Sequence, residues 1–285
     1  MSIKVLVDSS SDIDIEEAKA MGVTLLPIEI RFKDEEFLDG VNLSRRRFFE
    51  KLIESDELPK TSQINEYRFE ECFGELTKDG DEVIAFILSS KFSGTYDNAC
   101  KAAKKFGDKV HVIDTLNATI GERILIEYGL RLIKEGLTAS EIVEILNRRK
   151  HDIKLLALVG TLKYLQMGGR ISKTVAFAGE LMGVKPVISV EDGEVKLVGK
   201  ALGSKKGNNL LDKLIESSGG INFDLPYAVA YSGLDDSLLK KYLEDSAQHY
   251  ADKTDNVPIY MIGSTIGTHA GPGAIGVAFF ANSKD

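Results

Sequence analysis

Cysteine is scarce in this 285-residue sequence: Cys72 and Cys100 stand alone, with no C-x-x-C or paired spacing between them. That argues against a disulfide framework or a thiolate metal site, and reduced thiols in the core are expected. Histidine is nearly as sparse. His111, His151, His249 and His269 show no metal-ligand spacing such as H-E-x-x-H, so no metal is expected. Positive charge is also in deficit, with 36 Lys and Arg against 44 Asp and Glu, a net charge of −8. No electrostatic reason remains to expect nucleic acid or an anionic membrane as a partner. No apolar run reaches the length needed to cross a bilayer. Met1–Val5 leads directly into a strand without the regions of a signal peptide, so a cytoplasmic location is expected. A Walker A loop and a G-x-S-x-G elbow are both missing. Gly271–Gly276 does match G-x-G-x-x-G, but it precedes a strand and leaves only a short tail for the acidic partner that a dinucleotide site needs.

What is present is organised around Val83–Leu88, a continuous apolar run of the kind buried on both faces of a parallel sheet. It ends in Ser89, Ser90, Ser93, Gly94 and Thr95, and a helical pattern through Ala99, Ala102, Ala103 and Phe106 starts at about Asp97. Two readings stand side by side there. Ser93 and Thr95 either cap the helix or, with the free backbone N–H groups, form an anion site.

In chain order, Ile3–Val7 reads as a strand and Asp8–Asp12 as a polar turn that caps a helix over 13–21, with metal binding as the alternative. A strand over 23–32, a charged turn over 34–40 and a helix over 46–54 capped by Ser44 follow. Leu58–Gln63 reads as a hydroxyl-bearing turn before a helix over 66–77. A strand over 110–115 and helices over 119–135 and 140–150 complete an alternation typical of a parallel, helix-covered sheet. The second half, from about residue 155, has a different rhythm. A strand over 155–159, a short helix over 162–167 and an all-apolar helix over 175–182 precede a hairpin turning at Asp192-Gly193. Helices over 206–216 and 237–250 alternate with strands over 227–232 and 258–262. Ile266–Gly276 reads as a Gly-rich loop leading to a last strand. The expected class is α/β with two domains: 1–154 around a parallel sheet and 155–285 around a mixed one. His269 is either structural or, with glycines beside it, placed to hydrogen-bond a carboxylate. Arg170 reads as a charge complementing a helix C-terminus.

Six stretches together resemble the DegV family of bacterial fatty-acid-binding proteins: Asp8–Asp12, Pro59–Gln63, Leu88–Tyr96, Gly168–Ser172, Lys185-Pro186 with Asp192-Gly193, and Gly267–Gly273. The resemblance implies an N-terminal Rossmann-like domain and a C-terminal mixed-sheet domain, with a long-chain fatty acid such as palmitate in the cleft between them. It implies that Thr61, Ser62, Ser93, Gly94 and His269 hold the carboxylate, with secondary contacts from Arg170, Thr95 and Thr268. It also implies a carrier without catalytic residues or cofactor, presenting its ligand to an ATP-dependent fatty-acid kinase. One stretch departs from the family pattern: Leu202 and Ser204 stand where arginines are expected, and Lys200, Lys205 and Lys206 cannot clamp an anion bidentately. That departure counts against the kinase partnership. Burying about fourteen methylenes contributes on the order of 10 kcal/mol, against ~1.5–3 kcal/mol for each hydrogen bond to a charged acceptor. The tail should therefore set affinity and the head group orientation, with 175–182 and 184–188 as candidate tail walls. The competing functions are an acyl hydrolase or transferase using Ser93 as nucleophile and His269 as base, and a phosphoryl-transfer module by fold analogy alone.

Overall fold

The computed structural model of the chain describes residues 2–171, 183–251, 253–254 and 256–282. The helix expected over 175–182, with the tail wall assigned to it, lies outside the described residues, as does Ser172.

The first lobe begins with β1 (Ile3–Asp8), α1 (Ile15–Met21) and β2 (Thr24–Leu26). The expected 23–32 strand breaks at Pro27, which has no N–H to donate to a ladder. The chain then leaves one sheet for another. β3 (Glu29–Phe32) pairs antiparallel with β4 (Glu35–Leu38) and, after α2 (Arg45–Glu54), with β5 (Lys60–Ser62). The segments expected as turns over 34–40 and 58–63 therefore contain the two edge strands of a small sheet. Next come α3 (Glu66–Thr77), β6 (Glu82–Ile87), α4 (Thr95–Ala103), β7 (Val110–Asp114), α5 (Thr119–Lys134) and α6 (Ala139–Arg149). Strands β2-β1-β6-β7 form an all-parallel sheet. The apolar run in β6 is buried on both faces: Ile84 and Phe86 enter one core cluster, Val83, Ala85 and Ile87 the other.

The second lobe runs through β8 (Ile153–Leu158), α7 (Lys163–Met167), β9 (Val184–Glu191), β10 (Glu194–Leu202), α8 (Ser204–Ser217) and β11 (Tyr227–Tyr231). It closes with α9 (Ser237–Asp245), α10 (Ala247–Tyr250), β12 (Ile259–Met261), α11 (Ser264–Ala270) and β13 (Ile275–Phe280). Its sheet has the order β10-β9-β8-β13-β11-β12 and is mixed, parallel only between β11 and β12. The hairpin turns where expected, with Asp192 and Gly193 both at positive φ. The expected 237–250 helix is two helices meeting at Ser246, and the expected Gly-rich loop over 266–276 begins inside helix α11. A single apolar core joins the lobes. Ile120, Ile124 and Ile126 of α5 pack with Val5, Val7 and Phe86 of the parallel sheet and with Ala228, Ala230, Ala278 and Phe280 of the mixed one.

Beside that core lies a buried polar knot. Asp8 accepts from the N–H groups of Ser10 (2.8 Å) and Leu88 (2.8 Å) and so holds its own turn, whereas the cap expected there for the helix over 13–21 comes from Asp14, which accepts from the N–H groups of Glu16 and Glu17. Ser10 Oγ lies 2.6 Å from Asp8 Oδ1 and 2.8 Å from Glu122 Oε2. One hydroxyl has one proton, so it can serve only one of these carboxyls as donor. The other must carry a proton itself. Asp8 keeps three donors, and burial pushes it up only to about 6. Glu122 is pushed well above the usual carboxylate range by burial and then by the charge of Asp8. Glu122 is the protonated partner, donating to Ser10. Folding therefore takes up a proton, and the stability tied to Glu122 is full below its ordinary value of 4.5 and is lost as pH rises above it. Glu122→Gln fixes the neutral form in nearly the same shape. Its stability relative to the wild type should rise with pH above that value, by up to about 1.4 kcal/mol per pH unit. Urea unfolding of both proteins at pH 5 and pH 8 checks this, and parallel pH profiles would contradict it.

Candidate functional site

Between the lobes lies a cavity of about 460 Å³, inside the range of small-molecule sites. Its floor is the mixed sheet. Ala157 on β8, Gly276 on β13 and Ala230 on β11 are in register across three adjacent strands, and all three line the cavity. A Cβ placed on Gly276 would meet nothing closer than 3.7 Å, so this row leaves a trough where larger side chains would fill the core. Leu155, Ile188 and Val190 border the trough, and the first turn of α5 and the inner face of α11 cover it. The wall assigned to 184–188 is present only in part: Ile188 lines the cavity, and the neighbouring contacts come from Ser189 and Val190.

Polar groups gather at one end. Thr61 sits on the edge strand β5, its position fixed by pairing with Ile30. Its Oγ1 lies 3.2 Å from His269 Nε2 across 208 positions of sequence. Ser62, Gln63, Ser93, Gly94 and Arg170 line the same end. Ser93 Oγ accepts from the Thr95 N–H (3.2 Å) and lies 2.9 Å from Thr95 Oγ1, which in turn accepts from the Ile64 N–H (3.2 Å). When the Thr95 hydroxyl donates to Ser93, the Ser93 proton is free to point at a ligand. The N-cap residue of α4 is Gly94, without a side-chain cap; Ser93 Oγ holds the Thr95 N–H and lines the cavity, while the Thr95 hydroxyl serves the Ile64 N–H. Gly94 packs against the end of the exposed Gln63 side chain, which would have to swing aside for a Cβ there. Thr95 and Thr268 are buried but do not line the cavity; Thr268 donates to the Ser264 carbonyl (2.9 Å) within its own helix. Gln63, Thr119 and Thr265 line the cavity without having stood out in the sequence. Their placement depends on tertiary pairing.

His269 projects from α11. Among the described residues its Nδ1 is buried without a partner, and a Cβ on Gly168 would come within 2.2 Å of that atom, so glycine makes room for the ring. Burial, and then the nearby positive charge of Arg170, push the imidazole down to about 4. Arg170 donates to the carbonyls of Gly168, at the end of α7, and of Phe92 (3.3 Å). It is thus the helix-terminal charge that its sequence position suggests, and it also faces the cavity. Among the described residues it has no acidic partner, and burial lowers its pKa. This end therefore combines hydroxyl donors, a neutral imidazole and one half-buried cation. Such a set suits an anionic head group on an apolar body.

Nucleophilic catalysis finds less support. Among the described residues, Ser93 and His269 share no hydrogen bond, and no carboxylate orients the imidazole. Nor is any group of three His, Cys, Asp or Glu placed to hold a metal ion among those residues. No helix among them is long and apolar enough to cross a membrane. Cys72 and Cys100 are half-buried free thiols.

A profile described as "Uncharacterised protein, DegV family" matches residues 2–282 of the chain. A DegV domain-containing protein of Caldanaerobacter subterraneus is 33% identical over 281 residues, covering 97% of this chain and 98% of that protein. Among solved structures, one described as fatty acid binding of a DegV family protein from Thermus thermophilus matches with a TM-score of 0.87 at 26% identity, covering 99% and 100% of the two chains. A stearic acid-binding protein from Eubacterium ventriosum matches with a TM-score of 0.84 at 26% identity, covering 98% and 97%.

The environment of His269 has a direct readout. In the ligand-free protein its imidazole should stay neutral through physiological pH and titrate near pH 4. Side-chain NMR of ¹⁵N-histidine-labelled protein measures this, and a midpoint near the unperturbed 6.5 would contradict the burial described.

Proposed function

The chain belongs to the DegV family, and on that premise we propose that it is a cytoplasmic, non-catalytic carrier holding a long-chain fatty acid between its two lobes. The proposal divides the chain at about residue 154, with the acyl tail in the trough over Ala157, Gly276 and Ala230 and the carboxylate at the polar end. Thr61, Ser62, Ser93, the Gly94 turn and His269 are its proposed partners, and Arg170 supplies the compensating charge. The observation that supports this reading is one cavity with an apolar floor, at which polar residues from β5, the β6–α4 turn and α11 converge. Tail burial dominates the energetics, so the head-group contacts act mainly on orientation and on rejecting ligands that lack an acid.

Handover to an ATP-dependent kinase is an extension of the same proposal. It would use the surface where β10 meets α8, at Leu202, Lys205 and Lys206. Leu202 is 61% exposed there, and the lysines offer point charges in place of an arginine fork.

Delipidated protein should gain thermal stability from palmitate or oleate, and protein purified from bacteria should release acyl chains on denaturing extraction. Ser93→Ala and Thr61→Val should each weaken palmitate binding roughly tenfold and lower the unliganded melting temperature only modestly, each having lost one internal hydrogen-bonding hydroxyl. Titration calorimetry checks the affinities. A delipidated protein that neither binds palmitate nor is stabilised by it would refute the proposal.

A further inference from the structure

Helix α11 brings His269 to the polar end of the cavity, yet it has no side-chain cap of its own, since its N-cap residue is Gly263. Its exposed N–H groups are satisfied from the opposite lobe. Asp39, just after β4, accepts from the N–H of Ser264 through Oδ1 (3.0 Å). Its Oδ2 accepts from the N–H (3.1 Å) and hydroxyl (2.6 Å) of Thr265. Asp12, after β1, accepts from the N–H of Gly263 (2.8 Å) and from the Thr119 hydroxyl. Both carboxylates are buried, and neither lines the cavity. Asp12 also ties down Thr119, a β-branched cavity residue held at a φ of +51° that it would not adopt freely.

We infer that Asp39, assisted by Asp12, is a positioning residue for ligand recognition: a carboxylate of the first lobe fixes the register of α11, and so the distance from His269 to Thr61. The other helix of this region that leans on an acidic cap, α1, finds it in its own sequence at Asp14. For α11 the cap comes from more than 220 residues away. Placing the imidazole thus requires the lobes to be docked, and an undocked pair of lobes would keep the sheet floor without its α5 cover or an assembled polar end.

This inference rests on the fatty-acid reading and predicts a specific kind of loss. Truncating or neutralising Asp39 should impair recognition of the acid head while leaving the trough, and hence tail binding, intact. The test compares palmitate with 1-hexadecanol, which shares the tail and lacks the carboxylate. In Asp39→Asn, palmitate should bind about tenfold more weakly, hexadecanol should bind as in the wild type, and the His269 imidazole ¹⁵N shifts should move. Asp39→Glu keeps the charge on a longer arm and should lose only part of the acid-over-alcohol preference. Equal losses for acid and alcohol, or an unchanged preference, would overturn the inference by making Asp39 merely structural. In the unmodified protein, amide exchange at Ser264 and Thr265 should be slow, and fast exchange there would overturn it without any variant. Failure of the unmodified protein to bind palmitate would instead sink the functional reading, and the exchange result would still judge the cap.

Discussion

A hollow lined by small apolar side chains tends to collapse unless its walls are held apart by something other than the contents. In this fold the floor is a six-stranded sheet whose other face is fully packed, so it cannot move inward without breaking that second core. The cover is the first turn of α5 and the inner face of α11. Neither is held by hydrophobic contact alone. Asp12 grips the start of both, and Asp39 grips α11 again. Because these bonds are buried, losing one leaves an unpaired charge or orphaned N–H groups, which is far costlier than losing the same bond at a surface. Asp12, bonded to Thr119 of α5 and to the Gly263 N–H, thus braces the cover over the apolar trough, while Asp39 sets the register of α11 within it.

The polar end follows from the same geometry. In the proposed complex a carboxylate would bring one negative charge beside the guanidinium of Arg170, which has only carbonyl partners among the described residues. His269 is kept uncharged by its burial and by Arg170 itself, so it can donate or accept without adding a second charge. Hydroxyls at Thr61 and Ser93 complete a set that is polar enough to orient a carboxylate. Their surroundings remain mostly hydrocarbon.

The legible parts of this fold are those whose signals are local. The apolar run of β6 announced a strand buried on both faces, Ser44 announced its helix, and Asp192-Gly193 announced a hairpin. The elements that escaped depend on partners far away. β4 and β5 are short, polar edge strands that exist because β3 pairs with both. α11 has seven residues, two of them β-branched Thr and one Gly, and its cap is supplied by Asp39, so nothing near residue 264 signals a helix. Ser93 and His269 stand out locally only beside equally good structural readings, and Thr61 rests on the family resemblance, since a lone hydroxyl or imidazole carries little information by itself. Gln63, Thr119 and Thr265 join the cavity only once the chain is folded.

The division of labour between trough and polar end is tested most directly by a crystal structure of the delipidated protein soaked with palmitate. The tail is expected to lie over Ala157, Gly276 and Ala230, with its carboxylate within hydrogen-bond reach of Ser93 and Thr61 and beside His269. A carboxylate at any other end of the cavity, or a trough left empty at saturating palmitate, would contradict it.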